Sequence, residues 1–149
     1  MKVKIKKQNK KILTPKYQTK GASGFDFHAM QDVRIAPGET KLVPTGLAFA
    51  IPEGYELQVR PRSGTSYKTK LRIANSPGTV DSDYRGFVQI IMENIAANDA
   101  ITNEPIIIKA GDRIAQGVIC PIIQCDFEDV DELGTSERGS GGFGSTGSN

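Results

Sequence analysis

The chain has 149 residues, enough for one domain with its own core and too few for two of ordinary size. Apolar residues make up 38% and charged residues 24%, an ordinary globular balance, and a net charge of +2 does not by itself argue for nucleic acid or membrane. The longest apolar stretches, Pro105 to Ile108 and Val118 to Ile123, fall far short of the ~20 residues that span a bilayer, and the basic start lacks the apolar run of a secretory signal.

Charge is placed unevenly. Six lysines fall within the first eleven residues, whereas Asp126, Glu128, Asp129, Asp131 and Glu132 cluster near the other end. Val3 and Ile5 alternate with Lys2, Lys4 and Lys6, the period-two pattern of a half-exposed strand, which is favoured over a basic nucleic-acid arm. Further on, Ala22 to Phe27 sets Asp26 between apolar residues of a strand. Turn signals then recur at Pro37-Gly38, Pro44-Thr45-Gly46, Pro52-Glu53-Gly54, Pro77-Gly78 and Ala110-Gly111-Asp112. Between them lie short runs of strand character: Leu47/Phe49/Ile51, Leu57/Val59, Phe87 to Met92, Ile106 to Ile108 and Ile114 to Ile123. Strands this short at this spacing predict a sandwich, barrel or jelly-roll rather than an α/β fold.

One segment breaks the pattern. Ser63 to Leu71 opens on Ser-Gly and sets Tyr67 and Leu71 at i,i+4, which predicts a helix of about two turns. Cys120 and Cys125 are five apart, on opposite faces if they share one strand, so the reading is two buried, reduced thiols in a cytoplasmic protein. From Gly139 onward the chain is almost wholly Gly, Ser, Thr and Asn, the composition of a flexible tail, yet it carries Phe143.

Three segments carry chemistry. At Pro61-Arg62-Ser63-Gly64 an arginine, a hydroxyl and a glycine meet a predicted helix start, where backbone N–H groups favour an anion; alone, the same residues read equally as a Ser63 cap beside a surface charge. Asn75 to Gly86 sets Asp81, Asp83 and Tyr84 between turn formers, either a pocket in a hairpin mouth or an ordinary acidic loop. Glu137 to Gly147 combines glycines with Arg138, Ser145 and Thr146, suited to wrapping phosphate, although no Lys-Ser/Thr pair makes it a Walker loop. The turn Gly111-Asp112-Arg113 leads into a strand bearing Gln116. His28 is the one histidine, so no histidine-based zinc cluster or Ser-His-Asp triad can be built, and it reads as an ordinary strand residue.

Taken in order, Ala22–Phe27, Pro61–Ser66, Asn75–Gly86, Gly111–Gln116 and Arg138–Gly147 resemble the five motifs of the trimeric dUTPase family, a resemblance running from Gly21 to Gly147. It implies an all-β, jelly-roll-like sandwich or β-clip with one short helix, a β domain over residues 1–133 and a flexible Gly-rich arm over 134–149. It also implies hydrolysis of dUTP to dUMP and pyrophosphate, Mg2+ as cofactor, and a homotrimer whose sites are shared between subunits, with no nucleic-acid or membrane partner. Carried over residue by residue, Asp81 is the general base for the water that attacks the α-phosphorus. Tyr84 packs on deoxyribose, and Asn75, Thr79, Val80 and Gln89 line the uracil and sugar pocket. Arg62, Ser63, Gly64 and Gln116 hold the triphosphate, with Arg138, Ser145 and Thr146 at its γ end. Phe143 and Gly144 belong to the closing arm, Phe143 stacking on uracil. Asp26 orients waters on a Mg2+ held mainly by the triphosphate, and Asp83 is structural. Departures are small: Ser76-Pro77 and Thr79-Val80 differ from many members, Phe27 stands where Leu is common, and Gln89 is a variable site. A dCTP deaminase-like enzyme of the same fold would need a further carboxylate near the base, and a dUTP-gated interaction protein would not need Asp81.

Overall fold

The computed structural model describes residues 1–97 and 104–142. Among these, eleven short strands and one helix form four antiparallel sheets, the all-β architecture expected. A four-stranded sheet orders β2 (Phe25–His28), β11 (Arg113–Pro121), β6 (Tyr55–Arg60) and β8 (Gly78–Val80). A three-stranded sheet orders β4 (Thr40–Pro44), β9 (Gln89–Asn94) and β7 (Leu71–Ile73). Two pairs complete the body: β1 (Lys4–Lys7) with β5 (Leu47–Ala50), and β3 (Val33–Ile35) with β10 (Ile106–Ile108).

The core is filled by alternation. Phe25 and Phe27 of β2 meet Phe49 of β5 with ring centroids 5.4 to 5.9 Å apart, in edge and stacked contacts. Leu57, Val59, Ile90 and Met92 extend the same buried cluster. The buried polar groups are satisfied: Thr45 Oγ1 donates to the Val88 carbonyl at 2.7 Å, and Asn94 Nδ2 to the Ile35 carbonyl at 3.1 Å. Gly38, Gly46, Gly54 and Gly111 all have φ between 69° and 89°, so these turn signals mark backbone that only glycine adopts readily.

β1 bears out the period-two reading, with Ile5 half-buried and its lysines outward, in antiparallel register with β5. Beside it, Val3, Ile5, Tyr17, Phe25, Phe49 and Ile119 line an apolar groove of about 400 Å3.

Three local expectations are corrected. The helix α1 spans Ser63–Lys68 and stops short of Leu71, because Thr69 Oγ1 donates to the Thr65 carbonyl at 2.7 Å and Leu71 is claimed by pairing with Asn94. Tyr67 is left 91% exposed, without its expected partner. The last strand ends at Pro121; Ile123 is 89% exposed, and Cys125 lies exposed beyond the strand that holds the half-buried Cys120. Both cysteines are free, but neither is a buried thiol.

Candidate active site

Adjacency of β2, β11 and β6 brings three of the sequence segments together. Asp26 sits in β2 with its side chain 11% exposed, opposite Gln116 in β11, which in turn lies opposite Arg60 in β6. Two residues past Arg60, Arg62 turns back and its Nε donates to Asp26 Oδ1 at 2.8 Å. Binding through Nε leaves the two terminal nitrogens of the guanidinium for another partner. Gln116 Nε2 donates to the Pro61 carbonyl at 2.9 Å, fixing the approach to α1.

Arg62 itself is the N-cap residue of α1, and no side chain caps that end. The reading of Ser63 as a cap is therefore wrong: Ser63 is the first helical residue, beside Gly64, and no acidic residue occupies the first turn. The leading N–H groups and the Arg62 guanidinium form a cationic corner facing outward.

Two residues at this corner had no role assigned from sequence. Arg113 Nη1 lies 3.5 Å from Asp26 Oδ2, and Gln18 Nε2 lies 3.4 Å from the same oxygen. Arg113 reaches it because of a bulge: Arg113 pairs His28 and Ala115 pairs Phe27, so β11 carries one extra residue there. The bulge buries Ile114 and Ala115 consecutively and brings Arg113 and Gln116 to the Asp26 side. Arg113 stands within the fourth motif, so its position was a signal; Gln18 offered none.

The turn into β11 is pinned by Asp32, which accepts from Lys109 Nζ at 2.8 Å and from the Ala110 N–H at 2.9 Å. The Lys109 hydrogen bond, then that of Ala110, hold the Asp32 carboxyl below its ordinary pKa. His28 is an ordinary strand residue as expected. Burial pushes its pKa down, and Arg113 and Arg62 add to the effect against the opposing Asp26.

The third segment occupies the other end of the same sheet. Gly78, Thr79 and Val80 pair Val59, Gln58 and Leu57 of β6. Asn75 precedes the strand, across a cis Ser76–Pro77 bond, and its amide rests against Gly78. Asp81 follows the strand, exposed, and with Glu53, Glu56 and Asp83 it lines an open cleft of about 580 Å3. The Tyr84 N–H donates to the Asp81 carbonyl at 3.2 Å, and Arg85 Nη1 bridges the Ser82 and Tyr84 carbonyls at 2.6 and 3.0 Å. Gln89 opens β9 opposite Pro44 and is exposed.

Val80 pairs Leu57, so Asp81 continues toward the Tyr55 end of β6, whereas Arg62 lies past its Arg60 end, across at least roughly 10 Å of strand. Within one chain, therefore, Asp26, Arg62, Ser63, Gly64 and Gln116 come together, and Asp81 with Tyr84 does not join them. Arg138 is exposed, its Nε donating to the Gly141 carbonyl at 2.9 Å within a local turn. Phe143, Gly144, Ser145 and Thr146 lie outside the described residues. Among the described residues no group of three or more His, Cys, Asp or Glu is placed to hold a metal ion, and no helix is long and apolar enough to cross a membrane.

Known proteins match this chain along nearly its whole length. The dUTPase family model matches residues 10–147. The deoxyuridine 5'-triphosphate nucleotidohydrolase of Nautilia profundicola is 53% identical over 147 residues, 99% of either chain. A solved dUTPase variant of Staphylococcus bacteriophage 80alpha, in complex with dUpNHpp, superposes with a TM-score of 0.89 at 33% identity, covering 98% of both chains. A dUTPase variant from phage phi11 of S. aureus, solved with a structural Mg(II) ion, does so with a TM-score of 0.81 at 26% identity, covering 89% of this chain and 99% of that one. With a family model matching residues 10–147 and relatives matched along nearly their whole length, this chain belongs to the dUTPase family.

Proposed function

We propose that the protein hydrolyses dUTP to dUMP and pyrophosphate in sites assembled from three copies of the chain. The observation that carries the shared site is that Asp81 and Arg62 leave β6 at opposite ends, Asp81 past the Leu57–Val80 pair and Arg62 past Arg60, so one chain does not present both to a single α-phosphate. One copy offers Arg62, Ser63, Gly64 and Gln116 to the triphosphate. A second offers Asp81, with Asn75, Thr79, Val80 and Gln89 along uracil and sugar and Tyr84 against C2′. Asp81 accepts a proton from a water whose oxygen bonds to the α-phosphorus. The bond from that phosphorus to the bridging oxygen breaks, and its electrons leave with pyrophosphate.

The arm of a third copy, residues 134–149, completes the site. Arg138, Ser145 and Thr146 meet the γ-phosphate, while Phe143 and Gly144 close on the base. The stretch leading to it supports exchange between copies. Ile123, Phe127 and Leu133 are 89, 97 and 89% exposed and lie among five carboxylates, Asp126, Glu128, Asp129, Asp131 and Glu132. The lysine edge of β1 and its apolar groove have the complementary character, as strand addition by a neighbour requires.

The dUTPase variant of phage phi11 was solved with a structural Mg(II) ion, and Mg2+ is the cofactor we assign here. Asp26 is largely spent on Arg62, Arg113 and Gln18, a donor set that fits a cation carried by triphosphate oxygens and touched by Asp26 through water. When bound, Mg2+ would neutralise charge on the phosphates. Two free cysteines fit a reducing cytoplasm.

The test is complementation. Asp81→Asn should lower kcat by ~10²–10⁴, and truncation after Leu133 should abolish activity while leaving the thermal melt in place. Co-refolding the two inactive chains should restore pyrophosphate release from dUTP. Tagged mixed trimers that form and stay inactive would rule out the shared site.

A further inference from the structure

We infer that Gly86 is a positioning residue for sugar selectivity: the missing side chain at Gly86 gives Tyr84 the surface on which its ring lies. The turn backbone is locked by the Tyr84 N–H to Asp81 carbonyl bond and by the Arg85 bridge, but the ring is not. Tyr84 is 48% exposed, and its hydroxyl donates to the Phe87 carbonyl only at 3.5 Å, the outer limit of such a bond. What remains to orient it is contact. A Cβ on Gly86 would overlap the phenol oxygen and Cζ and come within 3.0 Å of Cε2.

Gly86 is not among the glycines with positive φ, so alanine fits its backbone without strain. The atoms in the way are the far end of one half-exposed side chain. Alanine at this position therefore leaves the fold intact and swings Tyr84 off its seat. The selectivity wall is a pair, Tyr84 and the vacancy two residues later.

This rests on the reading of Tyr84 as the wall beside C2′, and the experiment separates the two. kcat/KM for dUTP and UTP, with thermal melts, is measured for the parent, Tyr84→Ala, Gly86→Ala and the double variant. Tyr84→Ala should raise the UTP-to-dUTP ratio about tenfold or more. Gly86→Ala should raise it too, with Tm within about 2 °C of the parent. The double variant should match Tyr84→Ala, since no ring remains to displace. An unchanged ratio in Tyr84→Ala removes the role of Tyr84 and that of Gly86 with it. A raised ratio there but not in Gly86→Ala overturns the Gly86 inference alone, as does a further rise in the double variant. If Gly86→Ala fails to fold and the double variant folds, the conflict with Tyr84 stands; if both fail, it is overturned.

Discussion

Replacing Asp26 by Asn removes the charge to which the cationic corner is tied. An asparagine can keep an acceptor toward Arg62 Nε, now at 2.8 Å. Its amide nitrogen must then face Arg113 Nη1 and Gln18 Nε2, at 3.5 and 3.4 Å from the present oxygen, donor against donors. Turning a charge-assisted bond into a neutral one costs about 1 kcal/mol, and the opposed donors add a similar amount unless Gln18 rotates away. The ~3–5 kcal/mol of a fully buried broken pair is too much here, because the Arg62 side chain keeps 26% of its surface in solvent. A loss of ~1–2 kcal/mol lowers Tm by roughly 2–8 °C in a chain of this size. A guanidinium displaced by an ångström should lower kcat/KM for dUTP by ~10–10². Melting curves and pyrophosphate release, run across a Mg2+ series, report both, and a raised Mg2+ requirement would register the water-mediated role of Asp26. A variant that melts and turns over like the parent would mean that the Asp26 pair does not hold Arg62.

Gly24→Ala should disturb the same corner from the other side, since its Cβ would lie 2.8 Å from Gln116 Oε1 and 3.2 Å from the Gly117 carbonyl. A raised KM for dUTP is expected as Gln116 leaves Pro61, and an unchanged KM would exclude Gln116 as a phosphate ligand. His28 has a folded pKa below its ordinary value, so the stability linked to it is present above pH ~6.5 and lost as pH falls through the folded pKa. Between pH 7.5 and 5.5 the parent should lose more Tm than His28→Gln; parallel losses would show that burial of His28 is not felt.

Turn chemistry was the most legible layer, because Gly38, Gly54 and Gly111 answer to local backbone alone, while Gly46 also leaves room for Ile12 and Met30. The longer strands β6 and β11 were legible too, β6 by the alternation of Leu57 and Val59 and β11 by its apolar run. Of the three-residue strands, β10 stood out as the unbroken run Ile106–Ile108, whereas β3, β7 and β8 did not, since three mixed residues carry too little period to stand out from loop. α1 was overextended because Leu71 obeys Asn94, a partner 23 positions away that no local pattern announces. Of the site, Asp26, Arg62 and Gln116 could be named from their motifs. Their companions were harder: Arg113 stood in a motif but reaches Asp26 only through a bulge, and Gln18 reaches it from a segment without regular structure and gave no signal.

The carboxylate that anchors Arg62 is set between Phe25 and Phe27, two of the three rings at the centre of the core. Its strand is an edge strand paired only to β11, so the backbone amides near Asp26 that bond β11 over this aromatic cluster should exchange hydrogen far more slowly than those of exposed turns. The Asp81–Tyr84 turn, exposed and held by a few bonds within itself, exchanges by local fluctuation instead. With the proposed roles, a nucleotide would meet a rigid wall at its phosphates and a compliant one at its sugar. On warming, the grip on sugar and base should slacken over a range of temperature, whereas the grip on the phosphates should hold until the chain melts.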